Sequence, residues 1–594
     1  MKNDVLKFYS FVDNVFLVWY NIKGARMANF SLFYGGIPML RTKIVSSLEN
    51  VFLDSNYDDF QVLKRITVLK NERFSFQLIC DMSAEDDPMR RIMKPMIDGE
   101  LAKYATVREV INVPVSMPTI PGVEHDNYLR TTQGLYPDLL MEPVYDGDVC
   151  VMKTQLKALW IEIDLRELSD KVQAGESVFK IALSNWGDIF STSEVTIEVL
   201  DALLPEQELK LTQWFYCDCI AQYYRCDVWS ERHWELVESF AKVAKSNGIN
   251  LLLTPVFTPA LDTKVGGERL TNQLVEVTKN GDEYTFNFEL LDRWIDMCDR
   301  VGIKYFEIAH FFTQWGAQHA PKVMATVDGE YKKIFGWETD ATSDEYVTFL
   351  RTFIAEFLAH MKARGDDKRC FFHISDEPSP QHLHFYQAAK NSIADLLEDY
   401  TIMDALSSYD FYQQGVVKTP IPCNDHIAPF IEGKVPGLWT YYCSSQWKNV
   451  SNRFLAMPSY RNRSIGMQMY KYDIVGFLHW GYNFYNTRQS YLPLDPYGDS
   501  CGHDWVPAGD TYSVYPGLDG RALESLRIVV FYDALQDMSA MKLAESYVGK
   551  EAVIETIERA FGKEIDFNTC ARSTAQMQAV RDAVNEIIRQ NINK

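Results

Sequence analysis

Two adjacent carboxylates, Asp376 and Glu377, follow closely on the apolar run "CFFHI" at residues 370–374. An apolar run of this length predicts a buried strand, so the two acids would lie at its carboxyl end. Neighbouring like charges cost free energy, because each disfavours ionisation of the other. The pattern therefore indicates either acids that do chemistry together or a structural role, such as capping a helix or pairing with arginines.

The residues after the acid pair predict that a helix begins there. Ser379 suits the N-cap position, and Pro380 suits the first position of the helix. The order strand, two-acid turn, helix is that of a parallel α/β unit, in which active-site residues lie at the carboxyl ends of the strands. This placement favours the catalytic interpretation of the pair.

Aromatic and polar residues follow several other candidate strands. Each has an ordinary structural explanation, since tryptophan is usually core and a lone histidine is usually a satisfied polar residue. Their convergence on one mouth of a barrel would instead predict a sugar-binding site, with rings for stacking and polar groups for hydroxyls. The candidates are Asp262, Arg269, His310, Trp315, Trp439, Tyr441, Tyr442, His479, Trp480 and Asn483.

Adjacent acids favour one particular form of glycoside hydrolysis. Most glycosidases use two carboxylates about 5 Å apart for retention, or about 6.5–9.5 Å apart for inversion, which neighbours in sequence do not obviously provide. In substrate-assisted hydrolysis the substrate's own 2-acetamido oxygen attacks the anomeric carbon. One acid then orients the acetamido group and the other protonates the leaving oxygen. The charge of Asp376 would help to raise the pKa of Glu377 for that second role.

The hydrophobic periodicity predicts how these residues are positioned. Period-two alternation in "RFSFQLIC", "LWIEIDL" and "EVTIEVL" predicts a β-sandwich over residues 1–205. Helical patterns over 231–247, 288–301 and 344–364 alternate with short apolar strands, which predicts a (β/α)8 barrel of the TIM type over 206–540. A doubly wound sheet is the main alternative, but a Gly-rich phosphate turn after its first strand is missing. Residues 541–594 predict a helical C-terminal segment.

Composition limits the possible partners. The chain of 594 residues is too long for one hydrophobic core, so the fold class is multidomain, β plus α/β. Its formal net charge of -22 argues against nucleic acid and anionic membranes as partners. Neither an apolar run of about 18 residues nor a signal-peptide cleavage site is evident, and the 11 scattered cysteines suit reduced thiols. These features predict a cytoplasmic protein, and a homo-oligomer is left open.

One cysteine cluster raises the alternative of a zinc site. Cys217, Cys219 and Cys226 lie near His233, but Cys-x-Cys is not the usual zinc spacing. We expect Cys217 and Cys219 to share one face of a strand as buried thiols, and we expect neither a metal nor a cofactor.

Seven segments, in this order, resemble the DUF4091 proteins, which include the β-N-acetylgalactosaminidases of glycoside hydrolase family 123. They span about residues 217–520, and the ordered set is specific, whereas "SDEP" alone is a weak motif. The segments are "DCIAQYY", "LLLTPVFTPALDTKVGGER", "KYFEIAHFFTQWGAQHAPK", "FHISDEP", "GLWTYYC", "MQMYKYDIVGFLHWGYNFYN" and "AGDTYSVYPGLDG".

The resemblance implies retaining, substrate-assisted release of terminal β-linked N-acetylgalactosamine (GalNAc) from an oligosaccharide or glycoconjugate. Asp376 would orient the acetamido group, and Glu377 would be the general acid/base. Tyr441 or Tyr442 would bind the acetamido oxygen, and Trp480 would form the floor under the sugar ring. Arg269, Asp262 or His310 would bind the axial O4. The alternatives are a β-N-acetylhexosaminidase that also accepts N-acetylglucosamine (GlcNAc), a lyase or transglycosylase, and a non-catalytic glycan-binding barrel protein.

Overall fold

The computed structural model of the chain describes residues 40–83 and 88–592. Its N-terminal part is built from strands in two five-stranded sheets. The strands are β1 (Arg41–Ser46), β2 (Arg65–Leu69), β3 (Arg73–Asp81), β4 (Arg90–Asp98), β5 (Ala105–Val115), β6 (Gly134–Met141), β7 (Val149–Met152), β8 (Lys157–Asp164), β9 (Gly175–Asn185) and β10 (Asp188–Leu200).

The two N-terminal sheets enclose an apolar cluster. The first sheet has the order β1-β3-β8-β5-β6 and is antiparallel throughout, whereas the second, β2-β10-β9-β4-β7, contains one parallel pair, β2 with β10. Phe76 and Ile161 of the first sheet share the cluster with Phe179 and Val195 of the second, and the rings of Phe76 and Phe179 lie 5.6 Å apart. The alternating segments of the sequence correctly predicted β3, β8 and the second half of β10.

The remainder of the chain alternates strands with helices. Its strands are β11 (Lys210–Gln213), β12 (Leu251–Thr254), β13 (Glu276–Asn280), β14 (Glu283–Asn287), β15 (Tyr305–Ile308), β16 (Val323–Val327), β17 (Glu330–Phe335), β18 (Cys370–Phe372), β19 (Thr401–Ala405), β20 (Thr419–Ile421), β21 (Trp439–Tyr441), β22 (Gly476–His479), β23 (Val514–Pro516) and β24 (Ala522–Glu524). Its α-helices are α1 (Cys217–Tyr224), α2 (Glu231–Ser246), α3 (Glu289–Val301), α4 (Asp344–Arg364), α5 (Leu383–Asn391), α6 (Tyr409–Gln413), α7 (Ala428–Glu432), α8 (Ser459–Arg463), α9 (Ile465–Lys471), α10 (Leu526–Val548), α11 (Lys550–Phe561) and α12 (Thr574–Asn591).

An eight-stranded parallel sheet forms the centre of this part. Its order is β20-β19-β18-β15-β12-β11-β22-β21, and each neighbouring pair is parallel. A single parallel bridge between Cys423 and Tyr441 joins the two outer edges, so the sheet is nearly closed into a barrel. Four further strands, β13, β14, β16 and β17, form a separate sheet inserted after β12 and β15.

Helix boundaries follow the capping signals of the sequence. The Ser230 side chain accepts a hydrogen bond from the backbone of His233 at the start of α2, and α3 and α4 end at Gly302 and Gly365 in the left-handed conformation. None of the helices in the described ranges is long and apolar enough to cross a membrane.

The expected strand around Cys217 and Cys219 is wrong, because both residues lie in helix α1. The preceding strand, β11, ends at Gln213 and leaves three residues before the helix begins. His233 Nε2 contacts the backbone oxygen of Cys217 at 2.9 Å, so the histidine is bound to the chain itself. All eleven cysteines lie in the described residues, and none of them forms a disulfide.

The first N-terminal sheet is buried on both faces. Strand alternation directs Ile79 and Trp160 away from the cluster between the sheets, and these side chains join the large core that includes Ile528 and Phe531 of α10. Helix α10 runs across residue 540, where the sequence predicted a domain limit. The domain limits themselves stay a prediction.

A buried ion pair links the first sheet to α10. Arg527 donates from Nε and Nη2 to the two carboxylate oxygens of Asp138, each at 2.8 Å, and both side chains are buried. Tyr515 donates a further hydrogen bond to Asp138 Oδ2 at 2.6 Å. Removing one partner of such a pair leaves an uncompensated buried charge, which costs far more than loss of an exposed pair.

We expect Arg527→Met to lower the free energy of unfolding by about 3–5 kcal/mol, because Asp138 would remain buried without its cation. The midpoint of urea denaturation measures the change. Arg521→Met is the matched control, since Arg521 pairs with Asp519 and Glu142 at the surface, and it should cost below about 1 kcal/mol. Equal effects of the two variants would contradict the importance of burial.

Candidate functional site

Asp376 and Glu377 lie on a strained turn at the carboxyl end of the parallel sheet. Glu377 has φ of 43°, in the left-handed region that is uncommon for residues other than glycine. Its backbone N–H donates to Ala405 O at 3.1 Å, and Asp376 O accepts from the backbone of Trp315 at 2.8 Å. The end of β19 and the loop after β15 therefore hold the turn, and backbone strain of this kind is concentrated at functional sites.

The helical segment after the turn begins where the sequence predicted, but the predicted capping hydrogen bond of Ser379 is missing. Pro380 begins a short 3-10 helix, Pro380–His382, that leads into α5. Ser379 occupies the N-cap position, but its hydroxyl contacts His382 Nδ1 at 3.0 Å instead of a backbone N–H.

A cavity of about 140 Å³ opens beside the acid pair. Its walls combine four tryptophans with three carboxylates, which is the composition of a site for a polar ligand with flat apolar faces. The lining residues are Trp214, Asp262, Trp315, Asp376, Glu377, Ala405, Tyr441, Cys443, Ser444, Leu478, Trp480, Trp505 and Val506.

The two catalytic candidates have different environments. Glu377 is exposed at the cavity, and the Tyr441 hydroxyl donates to its Oε1 at 2.6 Å. Asp376 is half-buried, and burial, followed by the charges of Glu377 and Asp262, raises its pKa well above the usual range. Asp376 therefore takes up a proton at a higher pH than an ordinary aspartate.

Asp262 is a third acid in the same cavity. Its backbone is left-handed, with φ of 46°, and its N–H donates to Gln314 Oε1 at 2.6 Å. Tyr216 donates to its Oδ2 at 3.3 Å. Burial raises the pKa of Asp262 to about 6, against the opposing effects of Arg269 and Tyr216. Three acids on one small cavity favour a ligand that carries hydroxyl or amide donors or develops positive charge.

The tryptophan wall is anchored by a buried carboxylate. Trp480 lies 5.5 Å from Trp505, centroid to centroid, and its Nε1–H donates to Asp510 Oδ2 at 2.9 Å. His479 Nδ1 accepts from Arg453 at 2.7 Å, so the neutral ring carries its proton on Nε2, which lies 3.4 Å from Asp510 Oδ1. Burial raises the pKa of Asp510 to about 7.

The structure brings together four of the ten predicted binding residues with the acid pair. Asp262, Trp315, Tyr441 and Trp480 line the cavity. The other six, which do not line it, are corrections to the expected site: Arg269, His310, Trp439, Tyr442, His479 and Asn483.

Two of the misplaced residues are held by side-chain or ring partners of their own. Arg269 donates to both oxygens of buried Asp218, at 2.8 and 2.9 Å, so its guanidinium is not free for a sugar hydroxyl. His310 lies deeper in the barrel and stacks on His373 at 4.1 Å between ring centroids.

The other four are held outside the cavity by contacts of their own. Successive residues along an extended chain point to opposite faces, so the Tyr442 side chain points away from the side that Tyr441 faces. Its hydroxyl donates to Asn462 Oδ1 at 3.1 Å. Trp439 packs near Phe371, and His479 is bound behind the wall by Arg453. Asn483 binds the backbone of Tyr216 through both ends of its amide, at 2.9 and 3.1 Å.

Sequence reasoning missed Trp214, Trp505 and Asp510. Trp214 directly follows β11, a strand of four residues that is too short to give a periodic signal. Asp510 stands in the matched segment "AGDTYSVYPGLDG", so that segment was the available signal for it. Trp505 lies in a loop that carries no pattern.

Two groups of side chains bring possible metal-binding atoms within 4.8 Å of one another in the described residues: His310 with His373 and Asp404, and Cys423 with Asp425 and His426. In the first group, carboxylates face both ring nitrogens of His373, which keeps both protonated and leaves no lone pair for a metal. In the second, the His426 ring is already engaged with Asp425 Oδ1 at 2.7 Å.

The catalytic domain of glycoside hydrolase 123 matches residues 214–544, a segment that contains seven of the eight strands of the parallel sheet, all but β11, and every lining residue of the cavity. The protein is therefore a glycoside hydrolase. More narrowly, because the match covers more than half of the chain, it belongs to glycoside hydrolase family 123.

One solved structure agrees with this chain in fold over nearly its whole length. A family 123 glycoside hydrolase from Clostridium perfringens, studied for glycolipid glycan hydrolysis, matches with a TM-score of 0.68 and 15% identity, over 93% of this chain and 98% of that chain. A family 39 glycoside hydrolase from Bacteroides cellulosilyticus WH2 matches with a TM-score of 0.30 and 10% identity, over 80% of this chain and 81% of that chain. No curated protein matches the chain.

We expect Asp510→Asn to stabilise the protein at pH 8 more than at pH 5. The raised pKa of about 7 means that the folded state keeps a proton that the unfolded state releases near pH 4. The free energy of unfolding of the wild type therefore decreases as the pH rises from about 4 to about 7. An asparagine does not titrate and removes this decrease, so we expect a free energy of unfolding about 2–4 kcal/mol higher at pH 8. Urea denaturation at both pH values measures it, and a gain that is independent of pH would contradict the raised pKa.

Proposed function

We propose that the protein is an exo-acting β-N-acetylgalactosaminidase that releases terminal β-linked GalNAc with retention, by substrate-assisted hydrolysis. The observation that carries the proposal is the adjacent pair Asp376 and Glu377 on one turn, with the Tyr441 hydroxyl 2.6 Å from Glu377. Family membership and the glycan hydrolysis studied in the Clostridium perfringens enzyme support a glycan substrate. We also assign the N-terminal sheets to a β-sandwich and the parallel sheet to a (β/α)8 barrel.

The adjacency of the acids supports a substrate-assisted mechanism. Both side chains leave the same turn, so they approach a bound sugar from one side, and the nucleophile is supplied by the substrate. The acetamido oxygen forms a bond to the anomeric carbon as the bond to the leaving oxygen breaks. Glu377 gives its proton to the leaving oxygen. It then takes a proton from the water that attacks the anomeric carbon and opens the cyclic intermediate, so the configuration is retained.

The other residues have roles that follow from their positions. Ionised Asp376 accepts the acetamido N–H and stabilises the positive charge that develops on the acetamido group. Tyr441 turns its hydroxyl from Glu377 to the acetamido oxygen when substrate binds. Trp480 carries the sugar ring. Asp262 is the remaining candidate for the axial O4, because Arg269 and His310 are turned away from the cavity.

The main alternative is a β-N-acetylhexosaminidase that accepts GlcNAc as well, since one acid at O4 need not reject the equatorial hydroxyl. A glycan-binding protein without turnover is the second alternative, and activity assays separate all three.

We expect wild-type protein to release nitrophenol from the nitrophenyl β-glycoside of GalNAc, and Glu377→Gln to lower kcat by at least about 100-fold, because the glutamine has no acidic proton to give. The nitrophenyl β-glycosides of GlcNAc and galactose are the comparison substrates. Hydrolysis of the GlcNAc compound at a similar rate would favour the broader enzyme. Equal hydrolysis of the galactoside would exclude the acetamido mechanism, because galactose has no internal nucleophile.

The adjacent tyrosines provide a matched pair for a second test. We expect Tyr441→Phe to lower kcat/KM for the GalNAc substrate by about 10–100-fold, since it removes a hydrogen bond to a charged or developing charged group. Tyr442→Phe deletes the same atom on the opposite face of the strand and should change kcat/KM by less than about threefold. Similar losses in both variants would show that Tyr441 acts only through packing.

A further inference from the structure

Glu307, His373 and Asp404 form a buried ion triple beneath the cavity. Glu307 lies in β15 and Asp404 in β19, the two strands that flank β18 in the parallel sheet, and His373 directly follows β18. His373 donates from Nε2 to Glu307 Oε1 at 2.8 Å and from Nδ1 to Asp404 Oδ1 at 3.3 Å. All three side chains are fully buried.

The charges of the triple follow from these contacts. Burial alone would lower the pKa of His373, but the hydrogen bonds and charges of Asp404 and Glu307 outweigh burial and raise it to about 9. His373 is therefore an imidazolium at neutral pH. His310 stacks on it at 4.1 Å and stays neutral, because burial and the charge of His373 both lower its pKa.

Both carboxylates of the triple also hold parts of the site. Glu307 Oε1 accepts the indole N–H of Trp214 at 2.8 Å, and the Trp214 ring lines the cavity. Asp404 Oδ1 accepts the backbone N–H of Ile374 at 3.0 Å and of Ser375 at 3.3 Å, the two residues before the acid pair. One buried unit thus orients a cavity wall and the peptide that leads into Asp376.

We infer that the Glu307–His373–Asp404 triple is a positioning unit for the catalytic turn, which holds the peptide before Asp376 and orients the Trp214 wall of the cavity. This inference rests on the proposed roles of Asp376 and Glu377. The three residues do not line the cavity and act through Asp376 and Trp214.

Two charges of the triple act on the pKa of Asp376 in opposite directions. The charged neighbours of Asp376 are Glu377, Asp262 and Asp404, which raise its pKa, and His373, which lowers it. Tyr441 and Cys443 also line the cavity, and burial raises the pKa of both, so they are neutral. Loss of the His373 cation and loss of the Asp404 anion should therefore move the ionisation of Asp376 in opposite directions.

The test is the acidic limb of the kcat/KM profile with nitrophenyl β-GalNAc, because the mechanism needs Asp376 as a carboxylate and fails as pH falls through its pKa. We expect His373→Gln to move this limb to higher pH by about one unit. Asp404→Asn should move it to lower pH, since Glu307 still keeps His373 protonated. Damage to packing alone would not shift the two variants in opposite directions.

His310→Gln is the matched control, a neighbouring buried histidine without charge. It should leave the acidic limb at the wild-type pH, whatever its effect on the rate. Limbs that stay in place in His373→Gln and Asp404→Asn, or that move the same way in both, would overturn the inference.

A second measurement tests the positioning of the peptide. Asp404→Ala leaves the N–H groups of Ile374 and Ser375 without their acceptor, and we expect kcat to fall at least about tenfold while KM changes less than about threefold. Asp404→Asn keeps an acceptor oxygen and should restore most of kcat. If the alanine variant does not fold, the pH profiles of His373→Gln and Asp404→Asn still test the inference.

These results can be separated from the proposed function. Substrate choice of the wild-type protein and the Glu377→Gln variant test the mechanism of the acid pair. If the protein hydrolyses a galactoside equally well, the proposed mechanism fails, but the loss of kcat in Asp404→Ala and its recovery in Asp404→Asn, recorded with that substrate, still test the positioning of the turn.

Discussion

Two carboxylates on adjacent residues of one turn are the constraint on which the rest of the site depends. Their mutual repulsion and the left-handed backbone of Glu377 both cost free energy, so neighbouring elements must hold the turn in place. The backbone oxygen of Ala405 binds the Glu377 N–H, and the Trp315 N–H binds the Asp376 oxygen. Because these partners come from the end of β19 and from the loop after β15, the acid pair needs the neighbouring parts of the parallel sheet around it.

Two aromatic walls of the cavity are fixed in the same way, by an indole N–H that donates to a buried acid. Trp214 donates its indole N–H to buried Glu307, and Trp480 donates to buried Asp510. A histidine stands behind each carboxylate, but the two rings differ in charge. His373 is protonated between two acids, whereas the Arg453 guanidinium donates to His479 and burial keeps that ring neutral. Rigid rings set at a fixed angle are what stacking on a sugar requires.

The first N-terminal sheet packs against helix α10 of the α/β part of the chain. The first sheet has one face in the cluster between the sheets and the other against the core of α10, so neither face is free for solvent. The ion pair of Asp138 with Arg527 fixes this contact near the segment that contains Asp510. Burial of a charged pair contributes little net stability but strongly penalises misplacement of either partner, which suits a contact that must be unique.

The sequence by itself determined the local elements and the acid pair. Alternating and helical periodicity predicted strands such as β3 and helices such as α4, because each element buries one face and capping residues mark its ends. The apolar run before Asp376 and Glu377 placed the pair at a strand end. Strands such as β11 and β20 were missed, because their sequences, KLTQ and TPI, do not form apolar runs.

Only the tertiary structure decided which polar and aromatic residues share the site. Tyr441 and Tyr442 are the same residue type in adjacent positions, and strand geometry sends one to the cavity and the other to Asn462. From the sequence, Arg269 was a candidate sugar ligand. In the structure its guanidinium is paired with Asp218, which is distant in sequence. Contacts of Trp214 with Glu307, and of Asp404 with the turn, join residues on different strands, and the side-chain partner across a sheet is not encoded in the spacing along one chain.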